Sequence, residues 1–211
     1  MSRKWYAETQ KPSETMSSSA KSLIRGSRVF LRHPTQVDVD EFIALRQASR
    51  DVHQPWEPIP EDGSDPVSRP VFRRFLITAN TPSSQKHLIC RATDGAIVGY
   101  VGLSQIVMGP FCSSYMGYWV GKPYLRQGYA TEGISLCVER AFTQLCLHRI
   151  EANIIPQNTA SLATARKCGF HREGYSPRYL KIAGQWRDHE RWAITVEDWQ
   201  TQRSDAPIGT P

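Results

Sequence analysis

A glycine-containing turn that leads into a helix is the part of this chain best suited to chemistry. An apolar, aromatic stretch over residues 117–121 runs into a polar turn, and a helix is predicted to begin at Gly128. Free backbone N–H groups and the positive end of the dipole at a helix start attract anions. Small residues at Gly128 and Ala130 would let a phosphate approach the backbone closely. The pattern therefore predicts a phosphate site made of main-chain groups.

A strand, an asparagine and a second helix follow downstream. Residues 149–155 are predicted to form a buried strand, and Asn158 precedes a helix predicted over 161–167. Gly169 is placed to close that helix. Together, the phosphate site and this second unit indicate a pyrophosphate-bearing acyl carrier as the ligand.

These two units need a sheet to hold them. Hydrophobic patterning predicts an α/β (α+β) fold in one domain, with a central mixed, mostly antiparallel sheet and helices on both faces. The predicted domain spans residues 25–200, between flexible tails at 1–24 and 201–211. The predicted strands are 28–32, 86–91, 96–103, 104–108, 114–120, 149–155, 175–182 and 185–195. The predicted helices are 38–48, a segment that starts at 65–66 and reaches 77, 128–145 and 161–167.

Composition narrows the class of protein. A chain of 211 residues with 40% hydrophobic residues and six Trp can bury one substantial core. No stretch is long and apolar enough to span a membrane, and the N-terminus has no secretory pattern, so we expect no membrane partner. The five cysteines are scattered without a close zinc-type pair, which predicts no metal site and reduced thiols in a cytoplasmic protein.

The chain is basic, with a formal charge of +6 and a sequence pI near 9.2. This charge fits a moderately basic soluble protein, and it equally fits attraction to the phosphates of a cofactor or of ribosomal RNA. Lys and Arg are spread along the chain, so a dedicated nucleic-acid motif is not supported.

Several segments, in one order, carry a family resemblance. The chain resembles the GCN5-related N-acetyltransferase (GNAT) superfamily over most of residues 25–200, and within it the RimJ/RimL branch of ribosomal-protein N-terminal acetyltransferases, with RimJ nearer than RimL. The segments are Gln54-Pro55-Trp56-Glu57-Pro58, Met116-Gly117-Tyr118-Trp119-Val120-Gly121, His148-Arg149-Ile150-Glu151-Ala152-Asn153, Pro156-Gln157-Asn158, Gly169-Phe170, Glu173-Gly174-Tyr175 and Tyr179-Leu180-Lys181-Ile182-Ala183-Gly184-Gln185-Trp186-Arg187-Asp188-His189.

The resemblance implies acetyl-CoA as co-substrate and places it on named residues. Main-chain groups of Trp119 and Val120 would pair with the pantetheine arm, and Asn158 would hydrogen-bond it. The pyrophosphate would lie on Leu125, Arg126, Gln127, Gly128, Tyr129, Ala130 and Thr131.

The turn departs from the family pattern at two positions. Leu125 stands where the superfamily usually has Arg or Gln, and Arg126 stands where many relatives have a second glycine. A positive φ at Arg126 would be strained, although its guanidinium could add a contact to phosphate.

The sequence offers three candidate catalytic residues, Asn153, Ser161 and Tyr175. Asn153 stands where some relatives carry a glutamate base, so a water relayed by Asn153 or a backbone carbonyl is the predicted route for the amine proton. Glu151 is expected to face the opposite side of the strand. Ser161 matches a proposed thiolate acid of RimL-like enzymes, and Tyr175 is a second candidate acid. A tyrosine acid used elsewhere in the superfamily falls at Ala165, which excludes that mechanism.

Four residues are candidates for the acceptor site. Trp56, Tyr118 and Trp186 could shape an aromatic pocket, although aromatic side chains more often pack in the core. Glu57 could line the pocket mouth, although a solvated loop glutamate is the commoner case. The segment Trp186-Arg187-Asp188-His189 fits buried polar contacts and lacks the further ligands that a metal would need.

Three functions remain open at this point. The first is acetyl-CoA-dependent acetylation of the N-terminal α-amine of a ribosomal protein, with an Ala or Ser acceptor. The second is the same chemistry on a small amine such as an antibiotic or a polyamine. The third is a non-catalytic ribosome-associated assembly factor that uses the fold for binding, which the missing base keeps open.

Overall fold

The computed structural model describes residues 21–204, which form one mixed sheet with helices on both faces. The strands are β1 (Ile24–Arg25), β2 (Val29–Arg32), β3 (Asn80–Thr81), β4 (Ser84–Arg91), β5 (Ile97–Val107), β6 (Ser113–Val120), β7 (Arg149–Ile154), β8 (His171–Ile182) and β9 (Gln185–Thr195). The helices are α1 (Val39–Ala48), α2 (Arg50–His53), α3 (Arg69–Ile77), α4 (Tyr129–Thr143), α5 (Thr159–Lys167) and α6 (Val196–Ser204). No helix within 21–204 has the length and apolar character of a membrane span.

The strand order is β1-β2-β4-β5-β6-β7-β9-β8, with β3 paired to β4. Among the described strands every pair is antiparallel except β6 with β7. The predicted mixed, mostly antiparallel sheet is therefore confirmed. The pairs β4–β5, β5–β6 and β8–β9 are hairpins, whereas β2–β4 and β7–β9 pair strands that other elements separate along the chain. The parallel pair is joined by a crossover through α4.

Each face of the sheet has its own core because side chains alternate along a strand. On β4, Ile89 packs into the cluster under α4, while Leu88 and Cys90 face the opposite side with Leu45 of α1. All of these side chains are buried. The helices α4 and α5 thus cover one face, and α1 with α3 covers the other.

The sheet opens at its centre. Pairing between β6 and β7 covers only Ser113–Tyr115 against Arg149–Glu151. Beyond that point β6 continues with β5, and β7 continues with β9. The two strands diverge, and we call the space between residues 116–120 and 152–154 the fork.

Several predicted boundaries need correction. The predicted strands at 96–103 and 104–108 are one strand, β5. The helix predicted to start at 65–66 begins instead at Arg69, because Asp65 is engaged by the Arg50 guanidinium and the Val67 backbone N–H.

The ordered elements also extend past both predicted domain limits. Ile24 already pairs in β1, and α6 continues past residue 200 because it is tied to the body of the fold. The Trp199 ring lies 5.7 Å from the Phe142 ring, and the Gln202 side chain donates to the Gly169 carbonyl at 3.1 Å. The rest of the two predicted tails, residues 1–20 and 205–211, lies outside the described residues.

Candidate active site

The turn before α4 has the backbone shape of an anion site. Gly128 is the N-cap residue with φ of +80°, and Arg126 has φ of +59°. Left-handed residues at a helix start turn successive N–H groups towards one point, where an anion can bind. Arg126 thus adopts the conformation that was considered strained for arginine, a cost that persists only where the surroundings enforce it.

The surroundings that enforce it include Arg28 of β2, which the sequence did not single out. Its Nη1 donates to the Gln127 carbonyl at 2.8 Å, and its Nε donates to Glu132 at 2.9 Å. Its guanidinium also lies 5.8 Å from the centre of the Tyr129 ring. A contact between residues a hundred positions apart leaves no local sequence signal.

Asn158 caps α5. Its Oδ1 accepts a hydrogen bond from the Ser161 backbone N–H at 3.1 Å, as an N-cap residue does. The carbonyl end of the amide is thereby used, and the Nδ2 donors are left for a ligand. Asn158 lines two neighbouring cavities, a larger cleft and a smaller cavity at the fork.

Many of the predicted site residues meet in one cleft. A cavity of about 290 Å³ opens between β6, the starts of α4 and α5, and the loop after α2. The predicted ligand-contacting residues that line it are Trp56, Glu57, Tyr118, Trp119, Val120, Leu125, Ala130, Asn158 and Ser161. The other turn residues do not line the cleft; they are Arg126, Gln127, Gly128, Tyr129 and Thr131. Two of them have partners elsewhere: Gln127 Nε2 donates to the Pro123 carbonyl, and the Thr131 carbonyl accepts from the Cys168 thiol.

Ser161 and Tyr118 are joined at the fork. The Tyr118 hydroxyl lies 2.7 Å from Ser161 Oγ and 3.1 Å from the Ser161 carbonyl oxygen. Burial raises the pKa of Tyr118 to about 12, so it stays protonated. Tyr118 was predicted to shape the acceptor pocket. It lines the cavities at the fork, and its hydroxyl is bonded to the candidate acid Ser161, because side chains on β6 alternate and Tyr118 faces α5.

Trp119 points to the other face of the sheet. Its ring packs against Phe42, 5.5 Å away, and the Arg46 guanidinium lies 5.0 Å from its centre. The Val120 carbonyl accepts a hydrogen bond from His53 Nε2 at 2.9 Å. Main-chain groups of Trp119 and Val120 were predicted to pair with the pantetheine arm, and one of these groups, the Val120 carbonyl, has His53 as a partner in the described structure.

Glu57 belongs to a polar network and not to open solvent. Arg46 holds both of its carboxylate oxygens, at 2.8 and 2.7 Å, and donates to His53 Nδ1 at 2.8 Å. His53 therefore carries its proton on Nε2, and burial together with the Arg46 charge lowers its pKa. The Glu57 carbonyl also accepts from Ala183 N–H at 2.9 Å, which ties this loop to the β8–β9 turn.

Replacing Glu57 with leucine is expected to lower the free energy of unfolding by about 2–3 kcal/mol, because it leaves the buried Arg46 charge without its partner. The Arg46 side chain is only 9% exposed. Urea unfolding monitored by circular dichroism measures the change. Leucine at exposed Glu61, in the same loop, is the matched control and is expected to stay within 0.5 kcal/mol of wild type. Equal losses for both variants would contradict the network.

Asn153 is oriented by Glu151, and here the sequence-based expectation was wrong. Residues two apart on a strand share a face, so Glu151 lies on the same side as Asn153. Its Oε1 accepts from Asn153 Nδ2 at 3.1 Å, and its Oε2 accepts from Arg149 at 3.0 Å. Because the Glu151 carboxylate can only accept, it must face the Nδ2 end of the Asn153 amide, and Asn153 Oδ1 points away from Glu151. That oxygen is buried and has no donor among residues 21–204.

Two predicted residues lie away from the fork. Tyr175 is 47% exposed and donates to Asp188, and Trp186 is 63% exposed. Neither borders the cleft or the two smaller cavities beside Asn153. His189, which the sequence placed only among buried polar contacts, lines the cavity at the fork. Within the described residues no three His, Cys, Asp or Glu side chains cluster as a metal site requires.

Comparison with known proteins decides the family. The family model described as "Acetyltransferase (GNAT) domain" matches residues 28–171. The chain belongs to the GNAT acetyltransferase family. The resemblance to this family that was inferred from its motifs is confirmed.

The similar proteins include an N-acetyltransferase without a named substrate, an acetyltransferase named for a ribosomal protein, and a RimJ protein. It is 33% identical over 181 residues to the "Probable N-acetyltransferase YjcK" of Bacillus subtilis, covering 83% of this chain and 98% of that one. It is 36% identical over 107 residues to the "[Ribosomal protein uS5]-alanine N-acetyltransferase" of Escherichia coli, covering 51% of this chain and 55% of that one. Mycobacterium smegmatis RimJ, solved in complex with CoA-disulfide, superposes with a TM-score of 0.72 at 32% identity, covering 81% of this chain and 83% of that one.

Proposed function

We propose that this GNAT protein transfers an acetyl group from acetyl-CoA to the N-terminal α-amine of a ribosomal protein that begins with Ala or Ser. The observation that carries the proposal is the fork itself. On one side the fork meets the cleft that is lined by Leu125, Ala130, Asn158 and Ser161, and on the other side it opens towards Asn153 and the β8–β9 hairpin. A donor and an acceptor can therefore approach one point from opposite sides. The RimJ and uS5-alanine relatives support the choice of acceptor.

On this proposal acetyl-CoA lies along the cleft. Its pyrophosphate binds the N–H groups of the turn at 125–131, and its pantetheine arm passes Trp119, Val120 and the Asn158 amide. The thioester then reaches the fork beside Ser161. Ser161 donates a proton to the departing sulfur, and the Asn153 amide helps to position the acceptor. Tyr175 has no part, because its hydroxyl is held by Asp188 outside the fork.

Thiol release from acetyl-CoA tests the proposal. The acceptors are peptides that copy the Ala- and Ser-initiated N-termini of ribosomal proteins, the same peptides with a blocked α-amine, and a panel of polyamines and aminoglycosides. Turnover of free peptides that stops on blocking supports the proposal. Turnover of small amines alone replaces the substrate class. Acetyl-CoA binding without turnover of any acceptor, including assembled ribosomal subunits, favours the non-catalytic assembly factor.

Asn158 allows binding of the cofactor to be separated from folding. Asn158→Asp keeps the cap oxygen but loses the amide donors, so stability is expected to stay within about 0.5 kcal/mol while the Kd for acetyl-CoA rises on the order of tenfold. Asn158→Ala loses both the cap oxygen and the amide donors, so it is expected to lower the free energy of unfolding by about 1 kcal/mol in addition to weakening acetyl-CoA binding. Calorimetric titration and thermal unfolding measure the two effects. An aspartate variant that binds acetyl-CoA as wild type does would remove Asn158 from the cofactor site.

A further inference from the structure

His189 occupies a place in the fork that the proposed mechanism leaves unused. It lies on β9 opposite Ser176 of β8, and it is 2% exposed. It lines a cavity of about 170 Å³ together with Trp56, Asn153 and Ser161. The candidate acid and the imidazole thus border the same small space, where the acceptor amine would meet the thioester.

Hydrogen bonding fixes which nitrogen of His189 carries the proton. Nδ1 lies 3.0 Å from the Arg187 carbonyl oxygen, which can only accept, so Nδ1 is the donor. In the neutral ring Nε2 then carries a lone pair. Nε2 has no hydrogen-bond partner among residues 21–204. It is not completely buried, so a ligand can reach it. It is therefore available to a ligand in the cavity.

The groups around the ring keep it neutral. Burial lowers the pKa of His189 and is the largest influence on it. The hydrogen bond to the Arg187 carbonyl and the Asp188 charge act in the opposite direction, and the Arg187 charge lowers the pKa further. The Asp188 carboxylate is held by the Tyr175 hydroxyl and the Arg178 backbone N–H. From β8 the Tyr179 ring packs 5.5 Å away, and across the cavity β7 presents the uncharged Asn153. An imidazole that is neutral at pH 7 is ready to accept a proton.

We propose that His189 is the general base of this enzyme, accepting at Nε2 the proton that the acceptor amine loses; this inference rests on the acetyl transfer proposed above. The amine nitrogen bonds to the thioester carbon, the carbon–sulfur bond breaks, and the N–H proton passes to Nε2. Ser161 Oγ gives its proton to the sulfur. The imidazolium then returns a proton to water as Ser161 recovers one, so the protons balance.

His189→Asn tests the assignment, because asparagine can still donate to the Arg187 carbonyl but cannot act as a base. We expect kcat to fall on the order of 100-fold while the KM for acetyl-CoA changes less than about twofold. In wild type, kcat at saturating acceptor falls as the pH drops through the His189 pKa, below the usual 6.5. That acidic limb should be absent in the variant. In His189→Ala, added imidazole should restore part of kcat.

The matched control is His148→Asn, since the exposed His148 pairs with Glu197 and lines none of the cavities at the fork. It should keep the wild-type kcat and pH profile. A His189→Asn enzyme within threefold of wild type, one that retains the acidic limb, or an alanine variant that imidazole does not rescue would overturn the proposal.

The assays use whichever amine wild type acetylates and, without any amine, the hydrolysis of acetyl-CoA, which also needs a base. Turnover of small amines but not of peptides would contradict the proposed substrate and leave the His189 test readable. A wild-type protein that neither acetylates any amine nor hydrolyses acetyl-CoA would overturn both the proposed function and the assignment of His189 as its base.

Discussion

Replacing Ser161 with alanine is expected to lower kcat on the order of 100-fold, with little change in the KM for acetyl-CoA. Protonation of a leaving group by a positioned side chain contributes about 10²–10⁴-fold to rate, and the variant removes only that step. Ser161 lies at the start of α5 on the wall of the cleft, where the thioester would end. Ser161→Thr keeps a hydroxyl and should retain most of kcat. Steady-state kinetics with saturating acceptor measures both.

The bond between Tyr118 and Ser161 makes this expectation sharper. Tyr118→Phe should lower kcat on the order of tenfold, because Ser161 Oγ loses the hydroxyl 2.7 Å away that holds it in place. In the Ser161→Ala background the same change should have almost no further effect, since residues that act as a unit are not additive. Equal effects of Tyr118→Phe in both backgrounds would show that the tyrosine acts independently of Ser161.

Replacing Gly128 with valine is expected to raise the Kd for acetyl-CoA by about 30–100-fold, which corresponds to the 2–3 kcal/mol that a β-branched residue forced into a strained backbone conformation can cost. The residue has φ of +80°, and a Cβ there would lie 2.8 Å from Arg28 Nη2. The substitution therefore disturbs both the turn and the Arg28 contact that holds it. Calorimetric titration with acetyl-CoA measures the change.

Gly109→Val is the matched control for that experiment. Gly109 also has a positive φ, of +76°, in the turn between β5 and β6, and a Cβ there would meet nothing within 4 Å. Both variants carry backbone strain, so both should lose some stability. Only the Gly128 variant should lose affinity for the cofactor. Similar Kd values in the two variants would mean that the turn at 125–131 does not hold the pyrophosphate.

The local part of the site could be read from the sequence. Gly128, Ala130 and Asn158 were identified because a helix start and an N-cap have short-range residue requirements, and the structure places each at the end of a helix as expected. The family and the fold class followed from ordered motifs and from hydrophobic patterning in the same way. Strand β5 was divided in two because Ser104 and Gln105 break the apolar pattern. In the structure an irregularity lies there, and pairing with β6 resumes at Val107.

Which side chains meet was decided by the tertiary structure. Arg28 reaches Gln127, and Tyr118 reaches Ser161, across long sequence separations that no local pattern encodes. The candidate base shows this most clearly: Asn153 marks the missing glutamate on β7, while His189 comes from β9 and enters the fork only because that strand pairs beside β7. Sequence alone determined the start of α4, the cap of α5 and the family, since these depend on short motifs in the chain. The meeting of the candidate acid, Tyr118 and the candidate base depends on strand order and on the divergence of β6 from β7, which only the folded sheet sets.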